Sequence, residues 1–169
     1  MRPISETRAL QKLGELKQNF RETIAPYEQA AKSCFACETP GACCLDAHFV
    51  NVRISRLEAV AIKRTLATLP ADVQERVESR RVHTVEKFGL TAEADRTYAC
   101  PLFESGVGCL VHDAAKPLPC IHHACYSRPE DMPPPQLLSD AEVDVDELDR
   151  RTYLSAAPSI PLPIAIGRR

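Results

Sequence analysis

Eight cysteines in a chain of 169 residues fall into two short groups, and no other feature constrains the fold as tightly. The first group is Cys34, Cys37, Cys43 and Cys44. The second is Cys100, Cys109, Cys120 and Cys125. Four plus four thiols is the number that two four-thiolate metal sites require. The competing account, a disulfide framework, belongs to oxidising compartments. The N-terminus, MRPISETRALQKLGELKQNF, lacks the apolar stretch of a secretory signal. No apolar run approaches the roughly 18 residues that cross a bilayer. These features predict a cytoplasmic protein with reduced thiols and no membrane contact, and they favour metal over disulfide.

Charge and composition narrow the partners. The formal net charge is -2, so bulk charge offers no basic footprint for nucleic acid. Aromatic residues make up 5% of the chain and Trp is absent, which leaves Leu, Val, Ile and Ala to build the core. A scaffold of this kind gains much from a metal that closes a long loop.

The pattern along the chain predicts a mainly α fold with small β pieces (α+β), its helices packed around cysteine-rich metal-binding loops. Leu10, Leu13, Phe20 and Ile24 recur at helical spacing and predict a helix over 4–32, capped by Ser5 or Thr7 and kinked or split at Pro26. Residues 48–54 alternate as a short strand does. Ser55 and Glu58 form a capping-box pattern that opens a helix over 56–68, with Leu57, Val60, Ala61 and Leu66 as its apolar side. Pro70 suits the first turn of a further helix over 71–88, with a Val73, Val77, Val85 and Phe88 stripe and Gly89 as terminator. CPLFESGVGCLVHD reads as two extended pieces around a turn at 105–108. Lys116 to Pro119 reads as an extended segment that delivers Cys120.

Beyond Tyr126 the composition shifts. Seven of the fourteen prolines lie in 129–163, and six acids lie between Asp140 and Asp149. Ser139 is the expected cap of a helix from 140 to about 154, and SAAPSIPLPIAIGRR is expected to be extended or poorly ordered. Three segments follow: an N-terminal helix over 1–33, a cysteine-cluster metal-binding domain over 34–126, and a Pro-rich, acidic extension over 127–169. The extension is the place for a protein partner, if the protein has one.

Thiolates suit zinc, iron–sulfur clusters and Cu(I). Cys34 and Cys37, two residues apart, form the tight pair by which one loop supplies two ligands. Cys43 and Cys44 are neighbours, and in an extended segment their side chains would point opposite ways. A turn brings both to one metal; otherwise they serve two. The gaps of eight, ten and four residues in the second group are too wide for a tight ribbon. Two arrangements are open. Each group binds its own metal, or thiols from both groups meet around a shared centre and so close the 55-residue loop from Leu45 to Ala99. His48, His112, His122 and His123 lie within or beside the groups, and any of them is either a ligand, a hydrogen-bond partner of a sulfur or a solvated side chain. His112 and His122 are the best placed. His83 is incidental.

The ordered elements CFACETPGACC and CPLFESGVGCLVHDAAKPLPC resemble the CxxCxxCC cysteine-cluster family (YkgJ type), described as zinc- or iron-chelating proteins. Cys34, Cys37 and the Cys43-Cys44 doublet match its start. Cys100-Pro101-Leu102-Phe103 matches its middle, Gly108-Cys109 its hairpin and Pro117-Leu118-Pro119-Cys120 its end, over residues 34–125. The gap from Cys37 to Cys43 is wider than the family name implies. Lys116 and Ile121 stand where the family has Arg, and Cys125 is an additional thiol. The resemblance implies metal binding and no particular reaction. Some relatives are linked to protein lysine methylation, yet no glycine-rich cofactor loop is present, and only Asp113 beside His112 suggests proton transfer. The expected function is therefore binding of zinc or an iron–sulfur cluster, structural or redox in role. The alternatives are an enzyme related to the lysine methylases and a metal-stabilised interaction module.

Overall fold

The computed structural model describes residues 2–32, 39–45, 50–126 and 128–168. Along the chain come α1 (Glu6–Glu28), β1 (Ala31–Lys32), a 3-10 turn (Ala42–Cys44), β2 (Arg53–Ile54), α2 (Arg56–Leu66) and α3 (Ala71–Phe88). They are followed by β3 (Phe103–Glu104), β4 (Gly108–Cys109), α4 (Leu118–His122), β5 (Cys125–Tyr126), α5 (Pro135–Tyr153), β6 (Ile160–Pro161) and α6 (Leu162–Gly167). The fold is mainly α with small antiparallel β pieces, as the pattern predicts. None of the described helices is long and apolar enough to cross a membrane.

The chain divides into two compact units that interleave in sequence. One comprises Met1–Pro40 with Pro117–Pro158, the other Gly41–Lys116 with Ser159–Arg169. The C-terminal extension thus contributes α5 to one unit and β6 and α6 to the other.

In the first unit α1 packs along α5 and against α4. Ser5 caps α1, its hydroxyl accepting from the Arg8 amide at 3.4 Å. Ala9, Leu13, Lys17, Phe20 and Ile24 form the buried face, so the stripe serves the chain's own packing. Pro26 does not split the helix, which runs on to Glu28. A proline this close to the C-terminus disturbs only the last turn. On α5 the buried residues are Ala141, Val145, Leu148 and Asp149. This helix begins at Pro135 rather than at 140, because prolines fit a first turn. Ser139 is therefore inside the helix, donating to the Pro135 carbonyl, and is not its cap. The helix ends are tied by Ile4 N–H to the Arg151 carbonyl (3.2 Å) and by Tyr153 Oη to Glu6 Oε2 (3.0 Å). β1 pairs with β5, Lys32 opposite Cys125.

In the second unit the Ser55–Glu58 capping box opens α2 as its sequence signature requires. The buried side of α2 is Leu57, Glu58, Ala59 and Ile62, a face rotated from the predicted one; Val60, Ala61 and Leu66 are only half-buried. The helix α6 packs on both α2 and α3. The last residues are consequently not loose. β6 pairs with β2, and Leu162, Ala165 and Ile166 are buried. Arg53 staples this return: its guanidinium donates to the carbonyls of Ala92 (2.8 Å), Ala94 (2.8 Å) and Ser159 (3.1 and 2.8 Å). Gly89 terminates α3 at φ 56°, a left-handed conformation that favours glycine. Tyr98, fully buried, donates its amide to the Val50 carbonyl (2.8 Å) and its hydroxyl to the Val52 carbonyl (2.5 Å), anchoring the segment that leads to Cys100.

Candidate metal centre

Four of the candidate cysteines, Cys43, Cys44, Cys100 and Cys109, lie in the second unit, where the chain returns to pair its backbone at Cys44 and Cys100. Cys43 and Cys44 sit in the 3-10 turn after Gly41, closed by Cys44 N–H to the Gly41 carbonyl (2.7 Å). Three residues per turn place successive side chains about 120° apart, so the doublet does not point opposite ways as it would in a strand. Leu45 then bridges Ala99 in antiparallel fashion, and Cys100 N–H donates to the Cys44 carbonyl at 2.7 Å. The 55-residue loop is thus closed by backbone pairing at the cysteines themselves. The backbone thus sets Cys44 of the first group beside Cys100 of the second.

The second group's hairpin forms as its turn residues predict. β3 pairs with β4, Phe103 opposite Cys109, and Gly106 and Gly108 take the positive φ values the turn needs (78° and 102°). Backbone N–H groups of Leu102 and Phe103 are directed at the Cys100 sulfur, and that of Val111 at the Cys109 sulfur. Donors of this kind stabilise thiolates. Burial nevertheless dominates. It pushes the Cys100 thiol up to about 12, aided by the neighbouring Cys109, against the opposing pull of those N–H groups and of Arg80. Cys100 is only half-buried as a residue, but its sulfur is closely surrounded by protein. Burial also raises Cys109, opposed by the Val111 N–H and Lys116 and reinforced by Asp113.

These shifts predict a measurable inertness. In metal-free protein at pH 8 the Cys100 thiolate is scarce compared with an ordinary thiol near 8.5, and alkylation should run on the order of a thousandfold more slowly than in the urea-unfolded chain. Site-resolved mass spectrometry reads this directly, and modification at the unfolded rate would contradict it. The sign for stability is set by the same shift. The fold favours the neutral thiol, so this contribution is complete below the ordinary thiol range and is lost as pH rises towards about 12.

The two cysteine segments also touch through Gly41 and Phe103. A Cβ built on Gly41 would meet the tip of the Phe103 ring, and Gly41 has φ 81°. Glycine there lets the ring lie on the backbone that leads into the doublet.

Other sequence candidates are placed differently. Cys34, Cys37 and His48 lie outside the described residues. Cys120 and Cys125 belong to the first unit. Cys120 is in α4 rather than in an extended segment, because Pro117 and Pro119 open a helix. All six described cysteines are thiols. His112 and Asp113 are exposed, as is His83. His122 is 8% exposed and stacks on Phe20 at 6.4 Å between centroids. Its Nε2 is buried without a hydrogen-bond partner among the described residues. Among the described residues, no three His, Cys, Asp or Glu side chains are grouped as a metal site.

Two polar residues near the thiols are not evident from the cysteine pattern. Thr84 donates its hydroxyl to the Ala99 carbonyl (3.1 Å), and Arg80 donates Nε–H to the Pro101 carbonyl (2.9 Å). Their sequence signal is positional. Val73, Val77, Arg80 and Thr84 continue one helical stripe, so polar residues stand where α3 turns its inner face. No family model, no curated protein and no solved structure matches the chain.

Proposed function

We propose that this is a metal-binding protein of a reducing, cytoplasmic environment, holding zinc or an iron–sulfur cluster through cysteine thiolates. The observation that carries the reading is the backbone pairing of Cys44 with Cys100 across a loop of 55 residues, with Cys109 on the hairpin that follows Cys100. The donor set fits such a group. Thiolates are soft ligands, and the N–H groups around Cys100 and Cys109 favour the anionic sulfur that a metal needs. A cation would also offset the burial that otherwise holds both groups as thiols. Cys44, Cys100 and Cys109 would be ligands of the centre, with Cys43 the nearest fourth in sequence. Cys34, Cys37, Cys120 and Cys125 are the remaining candidate ligands, and by chain position they fall in the first unit. A bound zinc would supply folding energy, and a cluster would supply one-electron transfer; the residues' own part is to hold the sulfurs and close the loop.

Metal analysis of protein purified without oxygen is the test. At least one equivalent of metal per chain is expected, colourless with zinc or brown with a cluster. Cys100→Ser is expected to lose it and to unfold at lower temperature. Metal-free, fully folded wild-type protein with all eight thiols titratable would refute the reading.

A further inference from the structure

Cys100 is held from behind. The carbonyls on either side of it, those of Ala99 and Pro101, each accept a hydrogen bond from the same helix. Thr84 Oγ1 reaches Ala99 at 3.1 Å and Arg80 Nε reaches Pro101 at 2.9 Å. Residues four apart lie one above the other on a helix, so α3 presents the two donors as a matched pair. Thr84 is buried (3% exposed), and the Arg80 side chain is 31% exposed. The guanidinium is itself aimed by Glu104, whose carboxylate accepts from Arg80 Nη2 (3.4 Å) and from Arg76 Nη2 (3.0 Å). Glu104 stands in β3, on the hairpin that carries Cys109 in β4. One guanidinium thus joins the Cys100 turn to the Cys109 hairpin.

We propose that Arg80 and Thr84 are positioning residues of the thiol centre, a brace on α3 that holds Cys100 in its ligand conformation and sets how tightly the centre binds metal. This rests on the metal reading above. Geometry supplies one part of the effect. Both flanking peptide planes are fixed, so the Cys100 sulfur is pre-oriented and less ordering is left for the metal to impose. Charge supplies the other. Several thiolates around a divalent ion leave a net negative centre in a partly buried place, and the adjacent guanidinium offsets it. Lysine would restore the charge but not the planar fork that reaches a carbonyl and a carboxylate together.

Cobalt(II) titration of the metal-free full-length chain, in competition with a chelator and without oxygen, tests the brace. Arg80→Gln is expected to weaken cobalt binding by about tenfold to a hundredfold. Arg80→Lys should recover part of that loss, and Thr84→Val should show a smaller loss in the same direction. Thermal unfolding of each metal-free variant separates affinity from folding. Wild-type affinity in Arg80→Gln overturns the proposal. So does an equal loss in Arg80→Gln and Arg80→Lys that merely tracks metal-free unfolding. Should Arg80→Gln not fold without metal, Thr84→Val and Arg80→Lys decide, and wild-type affinity in both overturns it. Wild-type protein that takes up no cobalt refutes the metal reading, a different and separately visible outcome.

Discussion

Replacing Gly41 with alanine is expected to destabilise the protein by about 2–5 kcal/mol, from a left-handed backbone penalty of about 1–2 and an overpacking cost of about 1–3. The methyl group would occupy the place of the Phe103 ring tip, and φ is 81°. The ring must swing away, which uncovers it and separates the doublet's turn from the hairpin. Urea unfolding at constant m measures the loss. Phe103→Leu in the same chain should relieve the steric part and leave the backbone part, so the two substitutions should be non-additive. A Gly41→Ala protein as stable as wild type would mean the ring does not rest on this backbone. Weaker metal uptake is expected alongside the lost stability, since Gly41 leads directly into Cys43 and Cys44 and Phe103 lies opposite Cys109.

Ending the chain at Pro158 should have a still larger effect. The eleven residues removed, Ser159 to Arg169, include β6 and α6 and an acceptor of the Arg53 guanidinium. Ile160, Leu162 and Ile166 are all buried, and at about 1.5–3 kcal/mol each their burial contributes roughly 5–9 kcal/mol. That approaches the whole stability of a typical domain, about 5–15 kcal/mol. Hydrogen exchange should therefore show lost protection in α2 and α3, the helices that α6 covers. Retained wild-type protection in both would show that the tail is dispensable, as its proline-rich composition suggests when considered alone.

What could be seen in the sequence was what neighbouring residues decide among themselves. The capping box at Ser55 and Glu58, the stop at Gly89 and the hairpin turn at 105–108 depend on local hydrogen bonds and on the φ that glycine permits, and they formed as expected. The fold class followed from the helical periodicities. The face of α2 did not, because Leu57, Ala59 and Ile62 are buried in a unit that includes α6, which packs on α2 and arrives about a hundred residues later in the chain. The terminal segment was obscure for the same reason. SIPLPIAIG has no polar face to declare a helix, and its order comes from α2, α3 and β2.

For the candidate centre the division is sharper. Residue type and spacing in the sequence were enough to nominate eight thiols and the chemistry they suit. They were not enough to say which cysteines become neighbours, since the backbones of Cys44 and Cys100 are paired beside a β-bridge between Leu45 and Ala99. Nor did they reveal Arg80 and Thr84, which act on Cys100 from a helix sixteen or more residues away. A thiol's identity is written at its own position. Its neighbours, its burial and the donors aimed at it are decided only when distant segments pack, because packing energy depends on what arrives in space and not on what precedes in sequence.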